Sequence, residues 1–120
     1  MKKLILLLFC CACLLVASGL SFAQDRIPDG TYVLDDGNMQ MAIKVEFMPD
    51  GRYIIEGQGK NKDGNACALM GSAKMENGTL FVDYCPIEVV ISAGKLEIKD
   101  TKPCAQCDPG AYISGIYKIK

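Results

Sequence analysis

The chain has 120 residues, half of them hydrophobic and 22% charged, with seven cysteines and neither histidine nor tryptophan. Such a length holds one domain. The absence of histidine removes the usual general base, and a formal net charge of −1 offers no basic surplus of the kind that nucleic acid or an anionic membrane rewards.

The N-terminus reads as an export signal. Lys2 and Lys3 precede an apolar run from Leu4 to Ala17, and Ser21-Phe22-Ala23 places small residues at the positions a signal peptidase requires for a cut before Gln24. The run is too short for a comfortable membrane span. Cys10, Cys11 and Cys13 fall inside this leader, and their neighbours do not form the usual lipid-acceptor context. Residues 1–23 are therefore expected to be removed, leaving residues 24–120 as one exported domain, periplasmic or secreted, with no membrane attachment. That part carries 11 Lys plus Arg against 14 Asp plus Glu, a net charge of −3.

From Gln24 onward the pattern is that of strands and tight turns. Five times a glycine is followed at the second position by Tyr or Leu and at the fourth by an aliphatic residue: Gly30-Thr31-Tyr32-Val33-Leu34, Gly51-Arg52-Tyr53-Ile54-Ile55, Gly78-Thr79-Leu80-Phe81-Val82, Gly94-Lys95-Leu96-Glu97-Ile98 and Gly115-Ile116-Tyr117-Lys118-Ile119. Each reads as a turn feeding a strand with its large residues at period two. Strands are expected at about 30–35, 39–48, 52–60, 66–75, 79–84, 87–92, 95–100 and 111–119. The breaks between them fall at Asp36-Gly37-Asn38, Pro49-Asp50-Gly51, Asp63-Gly64-Asn65, Glu76-Asn77-Gly78, Cys85-Pro86 and Ala93-Gly94. The second strand alternates most cleanly, with Met39, Met41, Ile43, Val45 and Phe47 on one face and Gln40, Ala42, Lys44 and Glu46 on the other.

Eight strands joined mostly by short turns predict an all-β, antiparallel up-and-down barrel or nearly closed meander, in which the first and last strands meet. Gly57, Gly59, Gly71 and Ala73 share the inward parity of their strands, which suits sharp coiling or cross-barrel packing. A ligand cavity is the functional reading of the same small residues.

Cys67, Cys85, Cys104 and Cys107 are an even set in a small exported domain and predict two disulfides. Of the three possible connectivities, a local Cys104–Cys107 clip and a Cys67–Cys85 staple across the Glu76-Asn77-Gly78 turn are favoured. A redox or zinc role for Cys104-Ala105-Gln106-Cys107 lacks the helix N-terminus or the second ligand pair that it needs.

Catalysis is not expected: no Gly-x-Ser-x-Gly elbow is present. No cofactor and no metal site is expected, although Met39, Met41, Met48, Met70 and Met75 offer soft ligands and make copper binding an alternative. Two polar loops remain for recognition, Lys60 to Asn65 and Thr101 to Gly110. Lys60, Asn61, Lys62 and Lys102 are the candidate binding residues, suited to a protein partner with a carboxylate-lined cleft. The alternative is a carrier of a small apolar ligand, held by Met39, Met41, Tyr53, Ile55 and Leu69.

The C-terminal half, with Cys67-x-Leu69-x-Gly71-x-Ala73, Cys85, Gly94-x-Leu96-x-Ile98-x-Asp100, Cys104-x-x-Cys107 and Ala111 to Tyr117, resembles small uncharacterised exported bacterial proteins that end in two close cysteines and a Gly-x-Tyr strand. That resemblance implies a shared scaffold and no activity. In size, export and barrel architecture the chain is also similar to bacterial periplasmic lysozyme inhibitors, which implies a lysozyme as one possible kind of partner.

Overall fold

The computed structural model describes residues 26–120; the expected leader over 1–23 and its cut before Gln24 lie outside them. Nine strands follow one another: β1 (Gly30–Asp35), β2 (Met39–Phe47), β3 (Tyr53–Asn61), β4 (Ala66–Glu76), β5 (Thr79–Val82), β6 (Cys85–Ser92), β7 (Lys95–Lys99), β8 (Gln106–Cys107) and β9 (Gly115–Ile119). All pairings are antiparallel. Eight strands, β1 to β7 and β9, close into a ring, because β3 pairs with β4 and β9 returns to β1; β8 is appended to β4 outside that ring.

The ring forms because apolar residues recur at period two along each strand and face one interior. In β2 buried and exposed positions alternate from Met39 to Glu46. The interior holds Tyr32, Leu34, Met39, Met41, Ile43, Val45, Tyr53, Ile55, Leu69, Leu80, Val82, Ile87, Leu96, Ile98 and Tyr117, with Ile27 and Ile113 supplied by segments outside the strands.

The inward glycines admit side chains from their neighbour. A Cβ on Gly57 would stand 2.9 Å from Ile43 Cγ1 and 3.1 Å from Met41 Cε, and one on Gly59 would strike the backbone of Gln40 and Met41. These positions are glycine because β2 presses against β3 and Met41 occupies the space. Gly71 serves a bend: β4 pairs with β3 up to Ala73 and with β5 from Ala73 onward, and a Cβ on Gly71 would collide with the Asp83 carboxylate.

The three Gly-x-Tyr copies share a device. Tyr32, Tyr53 and Tyr117 are all buried, so each hydroxyl needs a partner. Tyr32 and Tyr117 donate to the carbonyls four residues back, Pro28 at 2.6 Å and Ile113 at 2.7 Å, and Tyr53 accepts from the Ile27 N–H at 3.1 Å. Burial pushes the Tyr117 phenol well above the usual tyrosine range, and burial followed by the Asp29 charge raises Tyr32.

Three local expectations are corrected. The disulfides join Cys67 to Cys107 and Cys85 to Cys104, so neither the Cys104–Cys107 clip nor the Cys67–Cys85 staple forms. The Glu76-Asn77-Gly78 turn does fold β4 onto β5, but that register sets Ala73 opposite Val82, and the chain then reverses again before reaching Cys85. That second reversal lies at Asp83-Tyr84 and not at Cys85-Pro86; both residues have positive φ, 47° and 71°, and Pro86 sits inside β6. The last strand begins at Gly115, and the segment before it carries the short β8.

Candidate functional site: the belted rim

β1, β3, β5 and β7 run toward one rim, and the connections at that rim are 36–38, 62–65, 83–84 and 100–114. The last of these circles the mouth. It leaves β7, meets β6 through Cys104–Cys85, meets β4 through Cys107–Cys67, passes Asn61 at the end of β3, reaches the β1–β2 turn through Tyr112, and enters β9. Ile113, 1% exposed, inserts into the core from this belt. Its two ends are tied together where the Asp100 N–H donates to Ser114 Oγ at 2.9 Å.

Carboxylates shape the belt by accepting from backbone amides. Asp100 accepts from the N–H groups of Cys104 and Ala105; Asp108 accepts from the Ala66 N–H at 2.8 Å, while its own N–H donates to the Ala66 carbonyl. Asp36 accepts from the amides of Asn38 and Met39 and from the Tyr112 hydroxyl at 2.5 Å. The Tyr112 hydrogen bond, then the two amides, hold the Asp36 carboxyl below its ordinary range, and the same bond raises the Tyr112 phenol.

Asn61, 8% exposed, faces inward and organises the β3–β4 turn. Its Oδ1 accepts from the Asp63 and Asn65 amides, and its Nδ2 donates to the Gly110 carbonyl. Lys60 and Lys62 flank it, both exposed. Lys60 stands between two open grooves, one of about 700 Å³ along the Cys67–Cys107 disulfide and one of about 320 Å³ beside Asp35 and Asn38. Lys102 is exposed near Cys104, on the β6 side of the rim, three strands round the ring from Lys60. The four candidate residues thus share one rim, but only three of them are neighbours.

One residue of this rim was not picked out by its sequence context. Tyr84 is 96% exposed and takes a left-handed conformation beside Asp83, which has one as well. Asparagine or glycine usually fills such a two-residue hairpin turn, and a tyrosine there carries a conformational cost. The signal was the two-residue gap between Val82 and Cys85, masked by the β-propensity of tyrosine.

The rim is acidic on balance: Asp35, Asp36, Asp63, Asp83, Asp100 and Asp108 outnumber Lys60, Lys62, Lys99 and Lys102. Two disulfides in so small a domain belong to an oxidising, non-cytoplasmic compartment. The interior candidates Met39, Met41, Tyr53, Ile55 and Leu69 are buried against one another in the core. Among the described residues, no three His, Cys, Asp or Glu side chains cluster as metal ligands do. Comparison of the chain with family models, with curated proteins and with solved structures finds no match.

Proposed function

We propose that the protein is a non-catalytic binding domain, exported to the periplasm or beyond, that engages a protein partner through its belted rim. The observation that carries this reading is the construction of the belt: a long surface loop held where it crosses β6 and β4 by disulfides and at its bends by carboxylate–amide bonds. Such a loop is ordered before it meets a partner and loses little entropy on binding. Exposed Tyr84 on a fixed turn supplies an aromatic anchor of the kind that interfaces favour, and Lys60, Lys62 and Lys102 supply cations elsewhere on the same rim. The architectural likeness to periplasmic lysozyme inhibitors makes a lysozyme the first partner to try.

The test uses hen egg-white lysozyme as the probe in a calorimetric titration, with the Lys60→Ser/Lys62→Ser/Lys102→Ser variant beside the parent. Saturable binding by the parent and its loss in the variant, at an unchanged Tm, is the expected result. A variant that binds as well as the parent removes the lysines from the site, and a parent that does not bind removes lysozyme as the partner. The carrier reading finds less support, because Met41 and Ile43 occupy the space beside the inward glycines. The copper reading draws only on the soft side chains already named, and two of those, Met39 and Met41, are 0% and 1% exposed.

A further inference from the structure

Each disulfide joins a ring strand to the belt, and neither joins one ring strand to another. Cys67 of β4 holds Cys107 of β8, and Cys85 at the start of β6 holds Cys104. The ring closes through its own ladders, from nine residue pairs between β2 and β3 down to two between β1 and β9, while β8 pairs only with β4, outside the ring. To the core the belt contributes one fully buried side chain, Ile113, with Cys104, Ala105, Ala111 and Tyr112 packed against that core only partly buried. Apart from sulfur, the belt is fastened to the ring by the two-residue β8 ladder, the Asp108–Ala66 bonds, the Asn61 and Tyr112 contacts and, next to β9, the buried bond from the Tyr117 hydroxyl to the Ile113 carbonyl, and the Asp108 and Tyr112 contacts are exposed to solvent.

We propose that the belt is a redox-released strap: reduction of both disulfides by a dithiol frees residues 100–114 from the rim while the eight-stranded ring stays folded. Both cysteines line the open groove along their disulfide, but Cys107 is exposed whereas Cys67 is 2% exposed. A reductant thiolate therefore reaches the Cys107 sulfur first. Its attack forms a mixed disulfide, breaks the Cys67–Cys107 bond and expels the Cys67 thiolate, which takes up a proton. The second thiolate of the reductant then displaces Cys107, which is protonated in turn, and the reductant leaves as its own disulfide. Each bond takes two electrons and two protons, and Cys85–Cys104 follows by the same steps. Release uncovers the mouth of the barrel, where Leu34, Met39 and Ile98 stand at the belt-side ends of β1, β2 and β7.

The test is amide hydrogen exchange, read by mass spectrometry on the purified protein before and after dithiothreitol, with alkylation confirming that Cys67, Cys85, Cys104 and Cys107 are all reduced. Peptides covering residues 100–114 should exchange at least about tenfold faster, while peptides from β2 and β3 keep their protection. Loss of protection in β2 and β3 overturns the proposal, as does a belt that exchanges no faster once reduced. A variant with serine at all four cysteines gives the same reading without reductant, and its failure to fold counts against an independent ring.

Discussion

Met41 fills the space that two glycines leave. It lies across Gly57 and Gly59, so that β2 and β3 approach more closely than two full side chains would permit. Inward and outward positions on β2 consequently differ sharply in what they tolerate. Ile43→Asp or Val45→Asp puts a carboxylate among apolar neighbours and should cost on the order of 3 kcal/mol or more, whereas Lys44→Asp should change stability by less than about 1 kcal/mol. Urea denaturation of the three variants checks this, and equal losses at both parities would mean that the register is wrong. The alternation itself was legible in the sequence, because a strand with one wet face writes its burial directly at period two. The inward glycines were legible as small residues; that a methionine from the next strand fills their space was not, since it depends on the β2–β3 register.

Among the elements, the belt has the least regular structure and the most polar anchoring. Asp36 and Tyr112 join its return arm to the β1–β2 turn. The Asp36 carboxyl is depressed in the fold, so its contribution is present above its ordinary pKa and disappears as the pH falls through the lowered value. Tyr112 is raised, so the protonated hydroxyl is favoured; its contribution is present below the ordinary tyrosine pKa and is lost as the pH rises through the raised one. Rates corrected for intrinsic exchange should therefore show residues 110–114 opening at both extremes of pH, and Asp36→Asn should abolish the acid limb while leaving the strands of the ring protected. Turns with Asp-Gly or Asn-Gly could be read before folding because glycine announces positive φ. The Asp83-Tyr84 turn and the two-residue β8 could not: neither has a local composition that distinguishes it, and both depend on where the chain travels next.

For the whole molecule, closure followed from an even number of strands joined by short turns, with the Gly-x-Tyr copies at 30–32 and 115–117 on the two strands that meet. Disulfide pairing lay beyond that logic. Cys104 and Cys107 are three residues apart, yet the belt carries them to different strands, and only the three-dimensional path decides between the three connectivities. With all four cysteines paired, protein beginning at Gln24 and unfolded without reductant should take up no alkylating label, and four labels after reduction. Two or more labels before reduction would point to free thiols and reopen the metal and redox roles.

Gly30 and Lys120 belong to the rim away from the belt, where the Lys120 N–H donates to the Thr31 carbonyl at 2.9 Å. A tether attached through Lys120, whether an affinity bead or a sensor surface, therefore sits on the side of the ring opposite the belt. The loops carrying Lys60, Tyr84 and Lys102 then point into solution, and a partner can approach them without meeting the support.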